Sequence, residues 1–216
     1  MIKQVLYGGE NANSVIRIGD TVHRTMSSNH EFIHLVFKHL QQYNFTHAPR
    51  FYEISDSGQE VLSYLPGKVP RDKKLNDTQL RQCMKLLRTY HDVAAKSPLC
   101  NNHETICHND FAPRNVIFDD EELVGIIDFD DCAPGSRIDD VAYFLWTFLD
   151  LGNEQISDDE QFSRIKMLLK EYGIRDSGGL TDSLIGQQSR VLLYRESKVV
   201  AETDDSRKAD LNMRVE

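Results

Sequence analysis

The sequence predicts an α+β protein of two lobes, a small β-rich N-terminal lobe and a larger, mainly helical C-terminal one. Three observations carry this. Residues 5–65 consist of short β-prone runs separated by Gly-Gly, Gly-Asp and Ser-Asp-Ser-Gly turns, with one amphipathic helix among them. Pro66-Gly67 then breaks the pattern, and a polar connector runs to Asp77. Beyond it, long segments with apolar residues at helical spacing surround one embedded strand pair. The expected division is residues 1–65 for the first lobe, 66–200 for the second and 201–216 for a polar tail. A cleft between lobes is the natural ligand site of such a plan.

Each element has a local reason. Val5–Tyr7 meets Gly8-Gly9, Ser14–Ile18 resumes, and Gly19-Asp20 turns the chain into Thr21–Arg24, the punctuation of hairpins. A helix is expected from about Asn29 to Gln42, with Phe32, Leu35, Val36 and Leu40 near helical spacing and Ser28 or Asn29 as cap. Pro49–Ile54 and Glu60–Leu65 flank the turn Ser55–Gly58 as a second hairpin. Asp77 or Thr78 is placed to cap a helix to about Ala95 that lines up Leu80, Cys83, Met84, Leu87 and His91 on one face. Val116–Phe118 and Leu123–Ile127 read as strands around an acidic turn. Asp139 or Asp140 precedes a buried helix ending near Leu149, with Trp146 in the core. Further helices are expected over about 158–172 and 181–200.

Composition narrows the functional classes. The 216 residues are 40% hydrophobic and 27% charged, a globular balance, and the formal net charge of −9 argues against a nucleic-acid binder. Acidity hints at an amine-bearing ligand, although most such charge only keeps a surface solvated. Cys83, Cys100, Cys107 and Cys132 form no CxxC pair and read as reduced thiols of a cytoplasmic protein. The first residues lack the apolar core of a signal peptide. The longest apolar run, Val141–Leu149, is about half a membrane span, so no membrane association is expected. The histidines outside the motif below lack metal-ligand spacing with the cysteines and read as surface or packing residues, with His91 a hydrogen-bonded core residue.

The chemistry-bearing stretch is CHNDFAPRNVIFDDEELVGIIDFDD, residues 107–131. It sets a carboxylate, a carboxamide and a second carboxylate on adjacent turns, the parts of metal-assisted phosphoryl transfer. Asp110 can accept the proton of a substrate hydroxyl or hold that hydroxyl in line. Asn115 offers a carboxamide oxygen and Asp128 a carboxylate at a strand end, hard donors suited to magnesium. His108 belongs to the same catalytic loop, bracing it by a hydrogen bond, and Pro113 stiffens it. Asp130 and Asp131 are candidates for a second metal or a cationic substrate, or else for loop solvation.

This pattern, His-x-Asp-x-x-x-x-Asn followed by an apolar Ile-Asp strand, resembles the aminoglycoside phosphotransferase and choline kinase family, which has the protein-kinase-like fold. The lines of likeness are GGENANSVIRIGDTVHR, HAPRFYEISDSGQEVLSYLPG, HNDFAPRN and IDFDDCAPGSRIDDVAYFLW, closest to short bacterial phosphotransferases and trifolitoxin-immunity-like proteins. The resemblance implies Asp110 as catalytic base, Asn115 and Asp128 as magnesium ligands, and ATP or GTP as phosphoryl donor to a hydroxyl of a small molecule. It makes Ser63, Tyr64 and Leu65 the connector whose backbone meets the nucleotide base, and Arg24 the strand residue that touches its phosphates. It also gives Asp140 the task of steadying the catalytic loop through backbone hydrogen bonds.

Three departures stand out. The glycine-rich cover is reduced to Gly8-Gly9 with Asn11 and Asn13. Glu31 falls too early in its helix to pair with Arg24, and Ile33 and His34 occupy the likelier register. The C-terminal half is also short for an antibiotic kinase. These departures favour a second function, a non-catalytic kinase-like immunity or binding protein; a third, a haloacid-dehalogenase-like phosphatase using Asp128 and Asp130, rests on the resemblance of LVGIIDFDDC to that family's apolar strand plus Asp-x-Asp.

Overall fold

The computed structural model describes residues 3–6, 15–70 and 74–201. The Gly8-Gly9 turn with Asn11 and Asn13, and residues 202–216 of the expected tail, lie outside the described residues. Strands β1 (Lys3–Val5), β2 (Ile16–Ile18) and β3 (Thr21–Thr25) are followed by helix α1 (His30–Gln42), β4 (Phe51–Ile54) and β5 (Gln59–Ser63). Helix α2 (Asp77–Ala94), β6 (Thr105–Cys107), β7 (Val116–Asp119), β8 (Glu122–Ile126), β9 (Ala133–Gly135), α3 (Arg137–Leu149), α4 (Asp158–Tyr172) and α5 (Leu180–Ala201) complete the chain.

The first five strands form one antiparallel sheet in the order β1-β2-β3-β5-β4. Pairing of β3 with β5 sets Arg24 opposite Glu60. Helix α1 buries Ile33, Val36, Phe37 and Leu40, and His34 stacks on the Phe51 ring at 3.7 Å. Its cap is Asn29, which makes no side-chain capping bond. The strand expected over Glu60–Leu65 ends at Ser63, so Tyr64 and Leu65 begin the connector.

Helix α2 forms the spine of the second half. Leu80, Cys83, Met84, Leu87, Tyr90, His91 and Ala94 are all fully or almost fully buried. Each large apolar side chain contributes about 1.5–3 kcal/mol relative to exposure. The cap is Asn76, one residue before the expected Asp77. Its side chain accepts from the Gln79 amide while the Gln79 side chain accepts from the Asn76 amide, a reciprocal capping box. Asp139 and Asp140 lie within the first turn of α3 rather than before it, and Trp146 is only half buried. Their sequence run is ambiguous because aspartate favours both the cap and the first turn.

Two glycines permit the close approaches that position the β7–β8 hairpin. A Cβ on Gly67, whose φ is +131°, would lie 2.4 Å from the Phe118 carbonyl oxygen, and Lys68 bridges to Phe118 there. A Cβ on Gly125 would lie 2.3 Å from the His47 carbonyl oxygen, which accepts the Ile126 amide at 2.8 Å. β7 and β8 are antiparallel and β6 pairs antiparallel with β9. This excludes the haloacid-dehalogenase alternative, which needs Asp128 at the end of a parallel Rossmann-like strand.

Candidate active site

The loop from Cys107 to Asn115 joins β6 to β7, and Asp128 follows β8, so the hairpin brings both segments together. The Ile127 amide donates to the Asn115 carbonyl at 2.9 Å. Asn115 Nδ2 donates to Asp110 Oδ2 at 2.7 Å and to the Asp110 carbonyl at 2.9 Å. Its nitrogen is thus spent on the aspartate, and Oδ1 makes no hydrogen bond among the described residues.

Asp110 Oδ1 accepts from Tyr143 Oη at 2.7 Å and from Arg114 Nη2, four residues further along its own loop. Arg114 Nη2 also donates to Tyr143 Oη at 3.1 Å. The carboxylate is therefore gripped on both oxygens, one by Asn115 and one by the Arg114–Tyr143 pair.

Asn109 and Asp128 both adopt left-handed backbone, with φ of 63° and 67°. Such residues persist only where surroundings over-determine them. For Asn109 the determinant is Asp140, which is fully buried. Its Oδ2 accepts the His108 amide at 2.6 Å and its Oδ1 the Asn109 amide at 2.8 Å. His91 Nε2 bonds the same Oδ2 at 2.9 Å, and His91 Nδ1 meets Tyr172 Oη at 2.6 Å. Burial pushes the Asp140 carboxyl up, but the hydrogen bond and charge of His91, joined by His108, outweigh it and hold the group below its ordinary value. His91, Cys107 and Asp140 bring one ligand atom each within 4.8 Å of one another. All three are already engaged, Cys107 Sγ with the Ser136 carbonyl at 3.2 Å, so the cluster reads as a brace.

His108 is fully buried, and burial pushes its pKa down. Nε2 lies 3.2 Å from the Ile127 carbonyl, and Nδ1 accepts the Asp110 amide at 3.3 Å. Both assignments describe a neutral ring with a proton on Nε2 that ties the loop to β8.

Arg24 reaches across from the sheet. Nε donates to Glu60 Oε1 at 2.5 Å, Nη2 to Asp130 Oδ1 at 2.6 Å, and Nη1 lies 3.6 Å from Asp128. Glu60 is 1% exposed, and its other oxygen meets His34 Nε2 at 2.9 Å. The missing helix glutamate is thus replaced by a strand glutamate, with a helix histidine behind it. The sequence reading left Arg24 without this partner, because strand pairing over 36 positions has no local signal.

Burial and the charge of Asp130, opposed by Arg24 and reinforced by Asp110 and Asp131, push the Asp128 carboxyl up to about 6. Burial and Asp110 likewise raise Asp131. This crowding, with the free carboxamide oxygen of Asn115, fits the donor set of a divalent cation, whose charge would relieve it.

The connector is only partly available. The Ser63 amide donates to the Arg50 carbonyl and the Tyr64 amide to the Asp20 carbonyl, each at 2.9 Å. Leu65 makes no backbone hydrogen bond among the described residues. Tyr64 instead lies under the Arg17 guanidinium, 3.7 Å from the ring centre.

Sequence reasoning passed over Glu60, Arg114, Tyr143 and Arg190. Arg190, from α5, donates through Nη2 to the Asn109 carbonyl at 2.7 Å. Of these only Arg114 carried a signal, its position inside HNDFAPRN.

Comparison with known proteins agrees with this architecture. Residues 98–166, which hold the catalytic-loop candidates, Asp128 and α3, match the model of the phosphotransferase enzyme family. The trifolitoxin immunity protein of Rhizobium leguminosarum bv. trifolii is 24% identical over 238 aligned positions, covering 95% of this chain and 89% of its own length. A probable aminoglycoside 3'-phosphotransferase of Lactococcus lactis is 25% identical over 124 positions, covering 55% of this chain and 44% of that protein. Among solved structures, the GDP complex of aminoglycoside 2'-phosphotransferase-IIIa superposes with a TM-score of 0.64 at 14% identity, covering 100% of this chain and 91% of that one. A macrolide 2'-phosphotransferase from Brachybacterium faecium gives 0.60 at 13% identity, covering 91% and 86%. The kinase-like fold is thus shared along the chain, and the resemblance read from the motifs is borne out in the sequence of residues 98–166 and in the fold of the whole.

Proposed function

We propose that this protein is a magnesium- and nucleotide-dependent phosphotransferase acting on a hydroxyl group of a small molecule. The observation that carries the reading is the grip on Asp110: Asn115 orients one carboxylate oxygen at 2.7 Å, and the Asn115 carbonyl accepts the amide of Ile127, the residue before Asp128, at 2.9 Å. In the transfer, the acceptor oxygen forms a bond to the terminal phosphorus of the nucleotide. The bond from that phosphorus to the bridging oxygen breaks, the nucleoside diphosphate leaves, and the hydroxyl proton passes to Asp110. Asp110 aims the hydroxyl; His108 and Asp140 fix the loop that carries it. Asn115 Oδ1 and Asp128 would hold magnesium, which offsets phosphate charge when bound. Arg24, held by Glu60, would contact the phosphates, and Leu65 would meet the nucleotide base through its backbone. The GDP complex of a structural neighbour supports nucleotide as the donor class.

Thermal unfolding with ATP, GTP and magnesium, alone and combined, tests this. A magnesium-dependent rise in Tm with one nucleotide, lost in Asp128→Ala, is expected. Asp110→Ala should lower turnover by about 10²-fold or more while nucleotide still binds. Near-normal turnover in that variant would remove Asp110 from its role. The similarity to an immunity protein over most of the chain favours a second reading, a non-catalytic binder. Absence of any nucleotide shift at millimolar concentration would select it.

A further inference from the structure

Tyr143 stands beside the candidate base Asp110. Its hydroxyl meets Asp110 and Arg114, and the Arg190 guanidinium lies 5.8 Å from its ring centre. Two guanidinium groups from separate elements, the catalytic loop and α5, thus converge on one phenol beside the candidate base. Arg114 keeps 59% of its side chain exposed, its Nε and Nη1 make no hydrogen bond among the described residues, and Arg190 is exposed as well.

The carboxylates on this side already have partners. Asp110 is paired with Arg114. Arg190 opposes the charge of Asp131. Asp139 accepts from Ser183 Oγ at 2.9 Å, and Asp140 is buried in the brace. Asp130 is paired with Arg24, and Asp128 lies 3.6 Å from Arg24 while its charge also acts on Arg114. Among the described residues, a polyamine would find no unmatched carboxylate next to Tyr143. Arg114 and Arg190, by contrast, use only Nη2 in hydrogen bonds among the described residues and keep N–H donors to spare. An oxyanion would find planar forks suited to binding two of its oxygens at once. The net charge of the whole chain, −9, points towards a cationic ligand, but the spare donors beside Tyr143 are those of guanidinium groups.

We propose that the acceptor is an alcohol carrying an oxyanion, a carboxylate or a phosphate, bound by Arg114 and Arg190 beside Tyr143. This rests on the phosphotransferase reading. It departs from the polyamine character of an aminoglycoside.

Matched alcohols test it in the full-length protein with magnesium and its nucleotide. Glycerate and glycerol 3-phosphate are set against glycerol and 2-amino-1,3-propanediol; gluconate and glucose 6-phosphate are set against glucose, glucosamine and kanamycin. Nucleoside diphosphate release and Tm are both read. The expected result is transfer to, or a Tm rise with, at least one anionic alcohol and none with its neutral or cationic counterpart. Glycerate with gluconate, against the two phosphates, tells carboxylate from phosphate. Arg190→Ala should raise the KM, or the half-saturating concentration in the Tm assay, of that acceptor by roughly 10- to 100-fold. Arg190→Lys should recover part of this, and the nucleotide KM should stay within about twofold. Preference for kanamycin or an amino alcohol overturns the proposal. So does silence towards every anionic alcohol in a protein that binds nucleotide. If nucleotide itself fails to bind, the phosphotransferase reading falls first and this one with it.

Discussion

Asp140 offers the sharpest test of how the candidate catalytic loop is held. It is fully buried and accepts three hydrogen bonds, from the His108 amide at 2.6 Å, the Asn109 amide at 2.8 Å and His91 Nε2 at 2.9 Å. Asp140→Ala strands three donors in the core. Each buried donor left unpaired costs about 1–3 kcal/mol, so allowing for partial relaxation the loss should be about 3–6 kcal/mol. In a chain of this length that is a Tm drop of about 10–20 °C. Asp140→Asn keeps the shape and one acceptor oxygen but turns an amide group towards a donor, and should lose about half as much. Urea unfolding of the three proteins gives the differences directly. The pH dependence supplies a second check. The folded protein holds the Asp140 carboxyl below its ordinary value of 3.8, so the unfolded chain takes up the proton first as pH falls. The advantage of the native protein over Asp140→Asn is therefore complete well above pH 3.8 and shrinks as pH drops below it. A loss under about 1 kcal/mol in Asp140→Ala, or an advantage that grows on acidification, would refute the brace.

Other perturbations probe other joints. Gly125→Ala forces a Cβ to 2.3 Å from the His47 carbonyl oxygen, a backbone atom that cannot swing aside, and should cost about 2–3 kcal/mol by urea unfolding. Asn76→Ala removes the acceptor of the α2 capping box and should lower stability by about 1 kcal/mol, a Tm change of about 2–4 °C. Tyr143→Phe deletes the hydroxyl that donates to Asp110 at 2.7 Å. It should lower turnover by roughly tenfold in steady-state kinetics while the nucleotide-induced Tm shift persists.

What the sequence disclosed divides by distance along the chain. Helix α4 runs over Asp158–Tyr172, as expected, because Ser157, three acidic residues in the first turn and Gly173 mark both ends locally. That Asp110 and Asn115 share one loop was legible because only five positions separate them, but the hydrogen bond between their side chains was not. The cap of α2 was misplaced by one position because Asn76, Asp77 and Thr78 are all competent caps, and only geometry selects among them. The partners of Arg24 and Asn109 were illegible for a different reason. Glu60 lies 36 residues from Arg24, Asp130 lies 106 from it, and Arg190 lies 81 from Asn109. No periodicity spans such intervals, and only the folded chain closes them. Tyr143 was hidden in another way. Its position in an apolar helix made it core, yet its hydroxyl is the part that reaches Asp110.

The Arg24–Glu60–His34 arrangement changes how the small lobe can act. When an arginine takes its orientation from a helix, movement of that helix disengages it. Here Glu60 is the direct cross-strand neighbour of Arg24, so the pair is fixed by the sheet. Helix α1 is tied on secondarily, through His34 at 2.9 Å from the other oxygen of Glu60. The guanidinium then has one edge on Glu60 and the other on Asp130 and Asp128, and it joins the sheet to the segment after β8. It follows that loss of the α1 contact should leave the aim of Arg24 nearly intact, whereas loss of the Glu60 charge should not. Glu60→Gln should raise the nucleotide KM by roughly tenfold, with acceptor KM little changed, while His34→Gln should move the nucleotide KM by less than about threefold. The reverse order, with His34→Gln the more damaging to nucleotide KM, would mean that the helix governs the arginine after all.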